Sequence, residues 1–136
     1  MLVCNGDSLA LVALQPLIAA FEQPGTDVAM LAVSADDASH FGALDVDDAG
    51  RLHGFREKRP GSGLINAGVY LIRDPGLLLS RFPSPCSLET EVFPRLLGTG
   101  ARIQVARCDG AFIDIGREET LLQADSFVER HGSWFA

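Results

Sequence analysis

The chain has 136 residues, of which 47% are hydrophobic, so it is close to the size of one ordinary domain with a single core. It carries 18 acidic and 11 basic residues, a formal net charge of -7, which excludes the basic footprint of a protein that binds nucleic acid or an anionic membrane. The longest apolar stretch, LALVALQPLIAAF at 9–21, contains a proline and is too short to span a bilayer.

The first 34 residues are predicted to form a β-α-β unit. An apolar run at 2–4 predicts a short buried strand. Helical spacing over 11–22 predicts a helix that begins near residue 13, because Pro16 is tolerated only in a first turn. The run VAMLAVS at 28–34 suits a central parallel strand.

After residue 34, the predicted strands and helices alternate less regularly. Residues 43–58 predict two strands joined by a turn at 47–50, and 64–72 predict a third strand. Short helices are expected at 77–82 and 87–97, the latter capped by Ser87. Residues 102–108 predict a late strand, 111–116 an extended piece and 117–131 a closing helix. The predicted core strands are 2–5, 28–33, 65–72 and 102–107.

Four short pieces, taken in order, carry a family resemblance: NGD at 5–7, FREK at 55–58, INAGVYLI at 65–72 and FIDIG at 112–116. Together they resemble the sugar-1-phosphate nucleotidylyltransferases. SLETEVFPRLL at 87–97 is similar to a helix of the mannose-1-phosphate and D-glycero-D-manno-heptose-1-phosphate guanylyltransferase branch. The resemblance implies an α/β, Rossmann-like nucleotide-diphospho-sugar transferase fold with a mixed, mostly parallel sheet flanked by helices, and residues 1–136 as one partial domain.

The glycine-rich loop with which this family grips the nucleoside triphosphate has no match in these 136 residues. The resemblance therefore implies an N-terminally truncated domain, which leaves open whether the isolated chain is an enzyme. Such a truncation predicts an exposed sheet edge, covered by a second copy of the chain or by a partner chain. The alternative is that residue 1 is an internal methionine of a longer chain.

The reaction that the resemblance implies is nucleotidyl transfer from a nucleoside triphosphate, expected to be GTP, to a sugar 1-phosphate, giving a nucleotide-sugar and pyrophosphate. Charge accumulates at phosphorus, so the chemistry needs a divalent cation and positive side chains. The residues alone favour a plain turn at Asp7 and a helix-capping role for Asp114. The resemblance makes both aspartates catalytic Mg²⁺ ligands, and it assigns the sugar phosphate to a catalytic Lys58.

The resemblance assigns the remaining substrate contacts to four residues. Glu57 and Asn66 would hydrogen-bond sugar hydroxyls, while Gly68 and Gly42 would let the sugar approach the backbone. Each has a structural alternative: Glu57 and Lys58 as an exposed charge pair, Gly68 as a β-bulge, and Gly42 as the start of a strand.

Other residues are predicted to be structural. Glu89 is explained by its position at a helix N-terminus. The three cysteines fit neither a disulfide framework nor zinc-ligand spacing, so we predict reduced, mostly buried thiols and a cytoplasmic location, with Cys4 and Cys108 inert. A second functional hypothesis is a non-catalytic module that binds a sugar phosphate or nucleotide-sugar, or a subunit that docks on a complete paralogue.

Overall fold

The computed structural model describes residues 1–38, 41, 43–56, 60–76, 82 and 85–135. Three of the predicted site residues, Gly42, Glu57 and Lys58, lie outside the described residues, and so does most of the predicted helix at 77–82.

Eight strands are described. They are β1 (Leu2–Cys4), β2 (Ser8–Leu11), β3 (Val28–Ala35), β4 (Leu44–Val46), β5 (Leu52–Phe55), β6 (Gly63–Ile72), β7 (Ile103–Cys108) and β8 (Ala111–Asp114). The main sheet has the order β1-β6-β3-β7, with β6 antiparallel to both neighbours and β3 parallel to β7. Every strand of this sheet except β6 therefore runs in the same direction, which confirms the mixed sheet with most of its strands parallel to one another, and a strand lies at each of the four predicted places.

The helices are short. They are α1 (Gln15–Glu22), α2 (Phe93–Gly98), α3 (Glu118–Leu121) and α4 (Ala124–Arg130), with a π-helical turn (Leu88–Val92) leading into α2 and a 3₁₀ turn (Gly132–Trp134) after α4. Ser87 caps the π-helical turn by accepting a hydrogen bond from Thr90 N, as predicted. None of the helices in the described part of the chain is long and apolar enough to cross a membrane.

The closing region differs from the single helix predicted over 117–131. The helix is broken between α3 and α4. The apolar stripe predicted along it, which includes Leu121, Leu122 and Val128, does not face a core, since Leu121 is 53% and Leu122 79% exposed. Phe127 packs instead against Leu11 and Ile113 of the β2–β8 pair. Helical structure at 117–131 is therefore confirmed in two short helices, while the buried apolar residue of the region is Phe127, which does not belong to the predicted stripe.

Both faces of the main sheet are covered, because successive side chains of a strand point to opposite faces. On one face, Ala29 and Leu31 pack with Leu17 of α1. On the other, Met30 packs in a cluster that includes the β4–β5 hairpin and Phe93 of α2. The sheet is thus the middle of three layers, and its central strand β3 is buried over its first six residues.

Two features near the N-terminus were not predicted correctly. The strand at 2–4 is an edge strand rather than a buried one, since among the described strands β1 pairs with β6 alone, and Leu2 is 52% exposed. The strand β2 was missed because its sequence, SLAL, is too short to show alternation. It pairs with β8 in a separate two-stranded ribbon, which separates β1 from α1 in the predicted β-α-β unit.

The β4–β5 hairpin confirms the predicted turn at 47–50. Asp47 Oδ1 accepts hydrogen bonds from Arg51 N at 2.8 Å and Ala49 N at 3.0 Å. The bond from Arg51, followed by the contact with His53, lowers the pKa of the Asp47 carboxyl. This carboxylate therefore holds a turn and takes no part in the site described below.

Gly68 interrupts the regular pairing of β6. Met30 pairs with Tyr70 but Ala32 pairs with Asn66, so the register of β6 against β3 shifts around Gly68. Its φ of 72° favours glycine. A Cβ at this position would lie 2.7 Å from Cγ of Asn5, whose N–H donates to Gly68 O at 2.7 Å. The backbone therefore forms a β-bulge at Gly68, which is the structural alternative predicted for this glycine.

Gly68→Ala is expected to lower the free energy of unfolding by about 2 to 3 kcal/mol, combining a strained φ with the displacement of Asn5. Gly25→Ala is the matched control, because Gly25 has a similar φ of 77° and no atom within 4 Å of the added Cβ. It should cost about 1 kcal/mol, from the backbone alone. Urea unfolding measures both, and equal losses would contradict the close approach of Asn5.

Candidate functional site

Pairing of β2 with β8 brings Asp7 and Asp114 together. Asp7 immediately precedes β2, Asp114 ends β8, and Ser8 is the register partner of Asp114. The pairing continues past the strand, where Ile115 N donates to Asp7 O at 2.8 Å. Because the two strands are antiparallel, the start of one lies beside the end of the other, and both aspartates reach the same end of the ribbon.

The two carboxylates face a point that Gly116 keeps open. A Cβ on Gly116 would lie 3.1 Å from Asp7 Oδ2 and 3.2 Å from Asp114 Oδ1. Asp114 Oδ1 accepts from Gly116 N at 2.9 Å, and Asp7 Oδ1 accepts a long hydrogen bond from Ser8 Oγ at 3.4 Å. Each aspartate thus keeps its Oδ2 free of hydrogen bonds to the described residues, and a side chain at 116 would crowd both.

The aspartates line a cavity of about 370 Å³ that is open to solvent on one side. Its other lining residues come from the segment around Asp7, from β6, from the start of the π-helical turn and from Phe41. The full set is Asn5, Asp7, Ser8, Phe41, Asn66, Tyr70, Ser87, Leu88, Glu89 and Asp114. Within the described ranges no cluster of three or more His, Cys, Asp or Glu side chains is placed to hold a metal ion, so a cation here has two protein carboxylates available.

Asn66 is at the centre of a hydrogen-bond network on the floor of the cavity. Its Nδ2 donates to Tyr70 Oη at 2.6 Å and to Glu89 Oε1 at 2.5 Å, while its Oδ1 accepts from Gly68 N at 3.0 Å. Both amide protons are therefore in use. The groups left to meet a ligand are the Tyr70 hydroxyl proton and the second oxygen of Glu89.

Tyr70 is a buried phenol, 0% exposed as a residue, packed against the Phe93 ring at a centroid distance of 5.1 Å. Burial, with smaller contributions from the negative charges of Glu89 and Asp7, raises the pKa of Tyr70 to about 12 against the opposing effect of the Asn66 hydrogen bond. The side chain is therefore a neutral phenol at physiological pH, able to donate a hydrogen bond.

Of the site residues predicted from sequence, Asp7, Asp114 and Asn66 line one cavity. Gly68 lies behind it, where its N–H holds Asn66 and its backbone forms the bulge. The predicted roles of these residues stay predictions, as do those of Gly42, Glu57 and Lys58, which are outside the described residues.

Sequence reasoning missed Tyr70 and set Glu89 aside. Tyr70 lies four residues after Asn66 on β6, so strand periodicity could have placed both on one face. Glu89 does stand at a helical N-terminus, as predicted, but it also accepts from Asn66. The signal was the polar amide within an apolar strand, which requires a partner.

The cysteines correct another prediction. Cys4 and Cys86 are exposed and only Cys108 is buried, so the thiols are not mostly buried. Cys4 lies on β1, which is an edge strand in the described part of the chain. Burial raises the pKa of the Cys108 thiol, with a further contribution from Asp109, which fits the inert role predicted for it.

Comparison with known proteins identifies relatives along nearly the whole chain. A glucose-1-phosphate adenylyltransferase of Desulfitobacterium hafniense is 30% identical across 94% of this chain and 35% of its own length. The chloroplastic/amyloplastic small subunit of glucose-1-phosphate adenylyltransferase from Triticum aestivum is 28% identical across 91% of this chain and 32% of its own length. The chain therefore spans about a third of the length of these curated relatives.

The fold also matches that of solved structures. The crystal structure of HddC from Yersinia pseudotuberculosis superposes with a TM-score of 0.77 at 25% identity, covering 93% of this chain and 54% of that one. The same protein complexed with GMP-PN superposes with a TM-score of 0.75 at 24% identity. A family model described as nucleotidyl transferase matches residues 1–131. This chain belongs to the nucleotidyl transferase family.

Proposed function

We propose that the cavity binds a sugar 1-phosphate beside a divalent cation and serves nucleotidyl transfer from a nucleoside triphosphate to that sugar phosphate. The observation that carries this proposal is the convergence of Asp7 and Asp114 next to the Asn66–Tyr70–Glu89 network. Two aspartate carboxylates, with a network of an amide, a phenol and the Glu89 carboxylate in the same cavity, suit a ligand with a cation-bound phosphate at one end and hydroxyl groups at the other.

The two aspartates fit a magnesium ion. Mg²⁺ prefers hard oxygen ligands and is commonly bound by one or two carboxylates, with waters and substrate phosphates completing the coordination. Asp7 Oδ2 and Asp114 Oδ2 are the oxygens that would hold it, since neither is engaged by a described hydrogen-bond donor. When bound, the ion would neutralise charge on the phosphoryl group during transfer.

The polar wall is proposed to recognise the sugar ring. Glu89 accepts one hydrogen bond from Asn66 and keeps an oxygen for a sugar hydroxyl, and Tyr70 has a proton to donate. In this arrangement Asn66 positions the two groups instead of contacting the sugar through its own amide protons. Glu57 and Lys58 remain proposed contacts for sugar hydroxyls and for the sugar phosphate, and Gly42 remains a proposed point at which the sugar approaches the backbone.

GTP is the proposed nucleotide. The guanylyltransferase-like helix sequence at 87–97 supports it, and HddC, a structural relative, has been crystallised with GMP-PN. The adenylyltransferase relatives favour ATP as the competing nucleotide. We further propose a cytoplasmic protein in which a second copy or a partner chain covers the β1 edge of the described sheet.

The proposal is tested by calorimetric titration of the full chain with a panel of sugar 1-phosphates, with and without Mg²⁺. Saturable, Mg²⁺-dependent binding of at least one sugar 1-phosphate is expected. Release of pyrophosphate on adding GTP would show that this chain is active by itself, whereas binding without turnover would favour the non-catalytic module. Absence of binding across the panel would reject the proposed site.

Glu89→Gln is expected to weaken sugar 1-phosphate binding about tenfold, because a charged acceptor that contributes 1.5 to 3 kcal/mol is replaced by a neutral one. Glu91→Gln is the matched control. It makes the same change two residues away on the same turn, where Glu91 accepts from Ser87 N and does not line the cavity. The same titration measures both, and equal effects would show that Glu89 acts through the helical turn alone.

A further inference from the structure

The chain contains an Asn-Gly pair at the mouth of the cavity. Asn5 and Gly6 are both exposed, and Asn5 lines the cavity that also holds Asp7, Asp114 and Glu89. No atom lies within 4 Å of the position that a Cβ on Gly6 would occupy. The backbone is anchored at Asn5 N, which donates to Gly68 O at 2.7 Å, and again at Asp7 O, which accepts from Ile115 N.

Between these two anchors the Asn5 side chain packs closely against Gly68, and its carboxamide is not held by a hydrogen bond to the described residues. Among the described residues, no hydrogen bond engages the Asn5 carboxamide or the Gly6 N–H. Asparagine is attacked most readily by the amide nitrogen that follows it when the next residue is glycine, because no side chain shields that nitrogen. Both the free carboxamide and the free N–H therefore favour this reaction.

We propose that Asn5 is a site of spontaneous deamidation that alters the charge of the cavity. The Gly6 amide loses its proton to hydroxide, and its nitrogen forms a bond to Asn5 Cγ. Ammonia leaves, taking up a proton from water, and a five-membered succinimide remains. Water then opens either C–N bond of this ring, giving aspartate or isoaspartate at position 5. No oxidant or reductant is involved.

The other asparagine of the chain provides an internal comparison. Asn66 is followed by Ala67 within β6, and all three of its amide hydrogen-bonding positions described above are engaged. The fold thus protects one asparagine and leaves the other open.

Deamidation would affect ligand binding in two ways. Either product places a further negative charge beside Asp7, Asp114 and Glu89, which opposes an anionic ligand. The isoaspartate form also adds one carbon atom to the main chain at residue 5. Because this residue lies two positions before Asp7, the added atom shifts the Asp7 carboxylate. This consequence rests on the proposed function, whereas the modification itself does not.

The first experiment measures the modification alone. The folded chain is incubated at mildly alkaline pH, digested and analysed by mass spectrometry, with the chain in denaturant run in parallel. We expect the acid to accumulate at position 5 in both samples, while Asn66 is converted only in the denatured one. Gly6→Ala should suppress the reaction at position 5. Conversion of Asn5 in denaturant but not in the folded chain would overturn the proposal.

The second experiment measures the consequence. Asn5→Asp reproduces one product and should weaken sugar 1-phosphate binding about tenfold, the order expected for one added like charge near a protein surface. Asn5→Gln changes the shape of the same side chain without adding a charge, so the difference between the two variants measures the effect of the charge. If the wild-type chain binds a sugar 1-phosphate and Asn5→Asp binds it equally well, the effect on the cavity is refuted. If no variant binds any sugar 1-phosphate, the proposed function fails while the mass-spectrometric result stands.

Discussion

Replacing Asp7 by asparagine is expected to weaken Mg²⁺-dependent binding of a sugar 1-phosphate by about 100-fold or more, because even outer-shell partners of a metal site are worth 10- to 100-fold. The substitution keeps the size of the side chain but removes the charge that faces the point left open by Gly116. Asp114→Asn should have the same effect. Calorimetric titration in the presence of Mg²⁺ measures both.

Asp125→Asn is the control for these variants, since Asp125 is exposed on α4 and does not line the cavity. It should bind as the wild-type chain does. Neither site variant should lose thermal stability, because each removes one of two neighbouring like charges. Unchanged Mg²⁺ dependence in both site variants would show that the paired aspartates do not hold the cation.

The titration of Tyr70 is expected to be displaced to about pH 12, from 10.0 for an unburied tyrosine. In the folded state the neutral phenol is favoured, so stability is fully present below pH 10 and falls as pH rises from 10 to 12. A shift of this size corresponds to about 3 kcal/mol of unfolding free energy.

The measurement is direct because Tyr70 is the chain's one tyrosine. Tyrosinate absorbance in the near ultraviolet therefore reports this side chain alone, and the chain in denaturant provides the reference titration. Tyr70→Phe removes the absorbance change and its contribution to the pH dependence of stability. A native midpoint near the denatured one would mean that the phenol is not enclosed as described.

The main sheet could be predicted from sequence because its strands are apolar runs with a clear pattern. Residues 28–33 and 65–72 are buried or partly buried along their whole length, so composition alone indicates a sheet interior. The β2–β8 ribbon could not be predicted in the same way. Its strands are four residues each and its pairing joins distant parts of the chain, so no local signal specifies it.

The candidate site shows the same division. Asp7 and Asp114 could be predicted because the motifs NGD and FIDIG carry a family resemblance. The local sequence alone favours a turn at Asp7 and a helix cap at Asp114. Tyr70 was hidden among the apolar residues of β6, since a tyrosine there is equally expected as core. Its role depends on Asn66 and Glu89. Glu89 belongs to the π-helical turn, and only the folded chain brings its Oε1 to 2.5 Å from Asn66 Nδ2.

The pairing of β2 with β8 also bears on how the chain folds. It joins residues near opposite ends of the sequence, and contacts of such long range form slowly because a large loop must be closed first. We therefore expect the two aspartates to meet only after the intervening sheet has formed around β3. Cation binding by the two aspartates would consequently report the final stage of folding. In a refolding experiment, the secondary structure of the main sheet should appear first and cation binding afterwards.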